Sequence, residues 1–85
     1  MSQLTLDDLR AIMIEAAGDD DAVDLTLDIL DTPFTELGFD SLAMLETVTL
    51  VKRRTGVAIA DDELDSVGTP RALLTKVNTS LEQAA

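Results

Sequence analysis

The chain has 85 residues, which suffices for one small core, and we expect a single domain over residues 1–85. Its 17 acidic and 6 basic side chains give a net charge of −11, a sign that excludes a phosphate-tracking nucleic-acid surface. Hydrophobic residues make up 46% of the chain and the aromatic residues are two Phe, a composition that favours an all-helical fold with an aliphatic core.

Cysteine and histidine are both absent from the sequence. Their absence removes disulfides, a thiol nucleophile, Cys-based metal sites and the commonest general base. No basic-then-apolar leader opens the chain, and no apolar run approaches membrane-spanning length. We therefore expect a soluble cytoplasmic protein, with no membrane partner and no metal, that does not act as a self-sufficient enzyme.

The first helix is predicted from Leu6 to Ala17. Thr5 is placed to cap it, Asp8 stands at the third helical position, and Gly18 marks its end. Apolar residues recur at steps of three and four and predict one buried stripe: Leu6, Leu9, Ile12, Met13 and Ala16.

A long acidic loop follows from Asp19 to Phe39. Interspersed apolar residues predict that this loop packs against the core, with one short helical turn between Thr32 and Leu37. Its aspartates do not match the spacing of a calcium-binding loop, so a solvated acidic segment is the favoured interpretation. The expected anchors include Leu25, Leu27, Ile29, Leu30, Phe34 and Leu37.

The second helix is predicted from Ser41 to Thr55, with Asp40 as its cap and Gly56 at its end. Its inner face is expected to comprise Thr47, Val48, Leu50 and Val51. The basic run 52–54 in the last turn is explained by the helix dipole, which favours cations at that end.

A short extended connector, Val57–Ile59, leads into a brief acid-capped helical turn at 61–64. The last helix is capped by Thr69, with Pro70 in its first position. Its buried face is predicted to contain Leu73, Leu74, Val77 and Leu81.

Ser41 stands in the first turn of the second helix, directly after a long loop and a capping aspartate. Free amide groups and the positive end of the dipole would stabilise a phosphodiester on its oxygen, and Gly38 permits a tight turn or a close enzyme approach. The alternative is an unmodified first-turn serine. A serine hydrolase is excluded, because its elbow needs Gly-x-Ser-x-Gly and a base that this chain lacks.

The segment Gly38-Phe39-Asp40-Ser41-Leu42 resembles the Gly-x-Asp-Ser-Leu attachment motif of acyl carrier proteins. The order of predicted helices resembles the same family along the whole chain, which implies a small four-helix bundle with a long first loop and a short third helix. The resemblance implies that a phosphopantetheinyl transferase, using coenzyme A and magnesium, attaches 4'-phosphopantetheine to Ser41, with Asp40 and Gly38 beside it. It also implies a non-catalytic, monomeric carrier.

Two segments resemble the discrete carriers of aromatic polyketide synthases, 41–46 and 69–74. Ala43 stands where fatty-acid carriers typically have an acid, although Phe39 replaces a frequent Tyr. The resemblance implies a carrier of malonyl and growing polyketide thioesters in antibiotic-type biosynthesis. The implied partners are a malonyl donor enzyme, a ketosynthase pair, and ketoreductase or cyclase components. The alternatives are a fatty-acid or other small-acyl carrier and, in a different class, an unmodified acidic helical adaptor.

Leu42, Leu45 and Glu46 form a mixed apolar and acidic face, and by resemblance we expect it to point outward and dock partners. The alternative is that the two leucines are core residues. Arg71 and Asn78 follow the rhythm of Leu74 and Leu81, so we expect them on an inward stripe. There they either satisfy acids and carbonyls of the protein or contact the carbonyls of a polyketide intermediate.

Overall fold

A computed structural model describes residues 3–17 and 29–84, and these residues contain four helices and no strand. Helix α1 spans Leu6–Ala17, α2 spans Ser41–Thr55, a 3₁₀ helix spans Asp61–Val67, and α3 spans Pro70–Ala84. The predicted all-α fold and all four helices are confirmed. Helix α1 packs against α2 and α3, and the 3₁₀ helix packs against α3.

The start of α1 is closed by the predicted capping box. The Asp8 amide donates to the Thr5 hydroxyl and the Thr5 amide donates to the Asp8 carboxylate, each at 3.1 Å. The pKa of Asp8 is held below its usual range by the Thr5 amide and the Thr5 hydroxyl next to its carboxylate. Leu9, Ile12, Met13 and Ala16 are buried as predicted, and Leu6 is half-buried. The predicted terminator Gly18 lies outside the described residues.

Helix α2 is bounded by the two residues that the sequence indicated. The Asp40 side chain accepts a hydrogen bond from the Ala43 amide at 2.8 Å, and Gly56 ends the helix at φ 80°. The Gly56 amide donates to the Lys52 carbonyl at 2.8 Å. The predicted inner face is confirmed, since the buried residues of α2 are Thr47, Val48, Leu50 and Val51.

The chain from 57 to 69 returns from α2 to α3. Val57 is half-buried and Ile59 is buried, as the extended connector predicted. The 3₁₀ helix that follows is seven residues long, and Glu63 accepts a hydrogen bond from the Ala60 amide at 3.2 Å and forms an ion pair with Lys76 of α3. This ion pair fixes the 3₁₀ helix to α3.

Helix α3 begins as predicted, with the Ala72 amide donating to the Thr69 hydroxyl at 3.2 Å. Leu73 and Val77 are fully buried, whereas the predicted core residues Leu74 and Leu81 are half-buried at the edge of the core. The buried face of α3 is therefore narrower than the sequence pattern indicated.

A single cluster of buried side chains joins the helices and the described part of the first loop. Ile29 and Phe34 belong to this cluster, and Leu30 and Leu37 are half-buried, so the expectation of a loop packed against the core is confirmed from residue 29 onward. The predicted helical turn is present, with the Glu36 and Leu37 amides both donating to the Pro33 carbonyl. Leu25 and Leu27 lie outside the described residues.

None of the helices in the described ranges is long and apolar enough to cross a bilayer.

Asn78 of α3 fixes the N-terminal segment to the bundle. Its side-chain oxygen accepts from the Leu4 amide at 2.7 Å and its side-chain nitrogen donates to the Leu4 carbonyl at 3.0 Å. Replacing it (Asn78→Ala) leaves both backbone groups of buried Leu4 without these partners, so we expect a loss of about 1 to 3 kcal/mol in the free energy of unfolding. Urea denaturation followed by circular dichroism measures this loss.

The neighbouring variant Thr79→Ala removes a hydroxyl from an exposed position of the same helix and should change stability by less than about 0.5 kcal/mol. An Asn78→Ala protein as stable as the control would mean that burial of Leu4 holds the segment without the side-chain hydrogen bonds.

The ion pair of Glu63 makes stability depend on pH. Hydrogen bonds from Lys76 and from the Ala60 amide hold the pKa of Glu63 below its ordinary value of 4.5. A pKa lowered by folding stabilises the protein above that value, and the stabilisation is lost as the pH falls through the folded pKa. We therefore expect Glu63→Gln to be less stable than wild type at pH 7, with the difference shrinking steadily below pH 4.5.

Denaturation midpoints measured from pH 7 to pH 3 test this difference. The exposed loop variant Glu36→Gln removes the same charge and corrects for the lower net repulsion of an acidic chain. A Glu63→Gln difference that stays constant with pH, or one no larger than that of the control, would contradict the prediction.

Candidate functional site

Ser41 is exposed at the first position of α2. The carboxylate of the capping residue Asp40 accepts a hydrogen bond from the Ala43 amide. The backbone carbonyl of Asp40 accepts one from the Met44 amide at 2.9 Å. The amides of Ser41 and Leu42 have no acceptor among the described residues. Ser41 therefore stands at the positive end of a 15-residue helix, where two backbone amides have no acceptor among the described residues, and both features favour a negative group attached there.

The residues before Ser41 form a hydrogen-bonded turn that aims the start of α2. The Phe39 amide donates to the Phe34 carbonyl at 2.9 Å, and the Gly38 amide donates to the Thr35 carbonyl at 3.2 Å. Gly38 has a φ of 88°, a left-handed conformation that glycine adopts without strain. The tight turn predicted at Gly38 is thus present, three residues before the serine.

Two buried phenylalanines anchor this turn in the core. The rings of Phe34 and Phe39 lie 5.7 Å apart at an angle of 56°, a tilted arrangement typical of favourable aromatic pairs. The Phe34 amide donates to the Gly68 carbonyl at 2.9 Å, and the Arg71 amide donates to the Leu30 carbonyl at 2.8 Å. The loop is therefore joined to the start of α3 on one side and to α2 on the other.

A surface hollow of about 470 Å³ lies beside Ser41, between the turn, α2 and the 3₁₀ helix. Its walls are both apolar and polar, and they comprise Phe34, Thr35, Phe39, Asp40, Ser41, Met44, Leu64, Asp65 and Gly68. The attachment motif predicted Asp40 and Ser41 on one side of this hollow, but nothing in the sequence indicated the opposite wall. No spacing links residues 64–68 to Ser41, because only the packing of the 3₁₀ helix brings them close.

The outward face of α2 carries the three residues that were expected to dock partners. Leu42 is 66% exposed, Leu45 is 39% exposed and Glu46 is exposed. The alternative that the two leucines are core residues is therefore wrong. Exposed leucines on a helix that has a complete inner face of its own are available to a partner protein.

Arg71 does not lie on an inward stripe, and this expectation was wrong. Its guanidinium is exposed and forms an ion pair with Asp31, with nitrogen–oxygen distances of 2.7 and 3.2 Å. The hydrogen bond from Arg71 lowers the pKa of Asp31. Because buried Leu73 and Val77 define the inward direction of α3, the Arg71 position is turned toward the loop and solvent.

Asn78 is half-buried and uses its side-chain amide on the backbone of Leu4. Asn78 and Arg71 line a second hollow of about 550 Å³ between the N-terminal segment and α3, and neither lines the hollow beside Ser41. Of the two roles left open by the sequence, the structure shows the bonds to an acid and to backbone groups. Contact with an intermediate stays a prediction.

The acidic run from Asp19 to Asp28 lies outside the described residues, so the expectation that it is a solvated loop stays a prediction. In residues 3–17 and 29–84 no group of three or more His, Cys, Asp or Glu side chains is placed to hold a metal ion.

The site suits a covalent attachment better than a reaction performed by the chain. Asp40 is the nearest carboxylate in sequence, and it accepts the Ala43 amide as a helix cap. The exposed Ser41 hydroxyl is open to a modifying enzyme, the free amides of the first turn suit a phosphate, and the adjacent hollow offers space for an attached arm. These features fit a phosphopantetheine group.

Comparison with known proteins agrees with this geometry. Residues 7–77 match the family model described as a phosphopantetheine attachment site. The granaticin polyketide synthase acyl carrier protein of Streptomyces violaceoruber is 51% identical over 100% of both chains. The actinorhodin polyketide synthase acyl carrier protein of Streptomyces coelicolor is 48% identical over 96% of this chain and 95% of that one.

Solved structures give the same result. The solution structure of the 3,7-dioxo-octyl actinorhodin acyl carrier protein from Streptomyces coelicolor superposes with a TM-score of 0.89 at 46% identity, covering 100% of each chain. The octanoyl form from the actinorhodin synthase gives a TM-score of 0.88 at 47% identity, covering 98% of this chain and 96% of that one. The chain therefore belongs to the acyl carrier proteins of polyketide synthases, which carry a covalent 4'-phosphopantetheine and serve as carrier subunits rather than as catalysts.

Proposed function

We propose that Ser41 is the attachment residue and that the chain presents malonyl and growing polyketide groups to the enzymes of a dissociated synthase. The observation that carries this proposal is the exposed Ser41 hydroxyl at the amide-rich start of α2, within the segment Gly38–Leu42. The attached group supplies a terminal thiol, which the chain lacks, and holds the cargo as a thioester.

Attachment requires the Ser41 oxygen to form a bond to the phosphorus of the pantetheine phosphate in coenzyme A. The bond from that phosphorus to the bridging oxygen breaks, adenosine bisphosphate leaves, and the hydroxyl proton passes to the transferase or to water. Asp40 contributes by capping the first turn of α2. Gly38 contributes the left-handed turn in the loop that precedes Ser41. The negative phosphodiester is then stabilised by the free first-turn amides and the helix dipole.

Leu42, Leu45 and Glu46 are proposed to dock partner enzymes. Their exposure beside Ser41 supports this role, because a partner that receives the arm must cover the start of α2. The proposed partners are a phosphopantetheinyl transferase, a malonyl donor enzyme, a ketosynthase pair, and ketoreductase or cyclase components. A cytoplasmic location and a monomeric state belong to the same proposal and stay predictions.

Modification of Ser41 is tested by intact-protein mass after incubation with coenzyme A, magnesium and a broad-specificity phosphopantetheinyl transferase. We expect the wild-type chain to gain one phosphopantetheine and Ser41→Ala to gain none. The matched control is Ser66→Ala, because Ser66 is also exposed and its hydroxyl donates to the Glu63 carbonyl at 2.7 Å. A modified Ser41→Ala protein would place the attachment elsewhere, and an unmodified wild type would favour the acidic adaptor.

Docking is tested with Leu45→Ala on the malonyl-loaded protein, using the KM of a ketosynthase pair for the carrier. Loss of an exposed apolar anchor at an interface costs about 1 kcal/mol or more, so we expect KM to rise by about fivefold or more. Ile14→Ala is the matched control, because Ile14 on α1 has the same 39% exposure as Leu45. Equal effects of the two variants would exclude a specific role for Leu45.

A further inference from the structure

Gly68 differs from the other two glycines in the described ranges because its backbone conformation does not require glycine. Gly38 and Gly56 have φ angles of 88° and 80°, which glycine adopts without strain. Gly68 has a φ of −72° and a ψ of −7°, a right-handed conformation that other residues also adopt. Alanine in such a conformation stabilises a protein by restricting the unfolded chain, so glycine lowers stability here. The missing side chain therefore has to be explained by the surroundings of Gly68.

The fold also has room for a side chain at residue 68. A Cβ atom placed on Gly68 lies 3.6 Å from the Asp65 carbonyl oxygen, an ordinary van der Waals contact, and within 4 Å of no other described atom beyond its chain neighbours. The backbone is held in place, because the Gly68 carbonyl accepts the Phe34 amide at 2.9 Å. Gly68 is exposed and lines the hollow beside Ser41, so a larger side chain there would occupy the hollow rather than the core.

This hollow is suited to the first part of an attached arm. Ser41 belongs to its wall, so a group joined to the Ser41 oxygen begins at the hollow. The wall also includes half-buried Met44 and Leu64, which are apolar, and exposed Thr35 and Asp65, which are polar. Phosphopantetheine has the same mixture of groups, because a dimethyl-substituted carbon follows closely after the phosphate and a hydroxyl and amides come next.

We propose that the hollow beside Ser41 is a seat for the pantoyl part of the phosphopantetheine arm, and that Gly68 is the positioning residue that keeps this seat open. The pantoyl part comprises the dimethyl carbon and the hydroxyl-bearing carbon next to it. This proposal rests on the proposed function and specifies how the same site holds its cofactor. Contact of the dimethyl carbon with Met44 and Leu64 removes apolar surface from water, which favours the seated arm.

The seat lies on a different side of α2 from the face proposed for docking. Met44 lines the hollow, whereas Leu42, Leu45 and Glu46 do not. A partner enzyme can therefore cover the outward face while the arm is seated and then draw the arm out. Seating also restricts the conformations of the arm, so that its thiol end leaves Ser41 in a preferred direction.

The test compares the full chain before and after modification by NMR. The transferase attaches phosphopantetheine from coenzyme A that carries ¹³C in its pantoyl methyl groups. We expect modification to shift the amide signals of Leu64 and Asp65, which are distant from Ser41 in the sequence, and to give nuclear Overhauser contacts between the pantoyl methyl groups and the Leu64 side chain. The Leu42 amide, next to the attachment residue, reports loading in every sample.

Gly68→Leu fills the seat without removing any group of the attachment segment. We expect this variant to be loaded like wild type, to lose the Overhauser contacts with Leu64, and to show pantoyl methyl signals close to those of free phosphopantetheine. Gly68→Ala should raise the denaturation midpoint while weakening the same contacts, and it decides the test if Gly68→Leu does not fold. The matched control is Ala60→Leu, which enlarges an exposed side chain at the start of the same 3₁₀ helix, outside the hollow, and should keep the wild-type contacts.

The possible results separate the seat from the proposed function. A wild-type chain that takes no phosphopantetheine overturns both. A loaded wild type whose Leu64 amide does not move and whose methyl signals match the free compound overturns the seat alone. Pantoyl contacts in Gly68→Leu equal to those in Ala60→Leu overturn the role of Gly68, and so does a Gly68→Ala protein that is less stable than wild type, because glycine would then serve the fold.

Discussion

The burial of Phe39 next to the cap formed by Asp40 is the constraint on which the site depends. The aromatic ring is fixed in the core against Phe34, while the carboxylate one residue later holds the first turn of α2. Because a helix cannot begin before its cap, the residue after Asp40 must stand at the solvent-exposed end. The exposure of Ser41 follows from these two fixed neighbours, together with the left-handed turn at Gly38.

The two sides of α2 have separate tasks. The outward side of α2 does not contribute to the core, because the buried residues of this helix all lie on its inner side: Thr47, Val48, Leu50 and Val51. This division allows exposed leucines beside Ser41 without loss of the core. It also explains how a carrier can present one helix to several enzymes in turn, since the contacts of the fold lie on the opposite side from those proposed for partners.

The acidic surplus acts mainly at long range. Surface ion pairs such as the one between Arg54 and Glu15 add little stability individually, but they join separate elements and neutralise cations that would otherwise face solvent. The ion pair between Arg71 and Asp31 likewise joins two elements, because it links the first loop to α3. The remaining field is strongly negative and favours the approach of basic surfaces, while Lys52 and Arg53 add exposed charges of opposite sign at the end of α2.

Local sequence determined the helices, their caps and the attachment segment, because capping and helical periodicity depend on residues within about one turn of each other. The bounds of α1 and α2 followed from such patterns, whereas the outward position of Leu42 was expected from the resemblance to acyl carrier proteins. Tertiary packing alone decided the far wall of the hollow beside Ser41, the bonds between Asn78 and Leu4, and the outward turn of Arg71. Those features join residues distant in the chain, and the helical rhythm that placed Arg71 inward could not reveal which side of α3 the loop would cover.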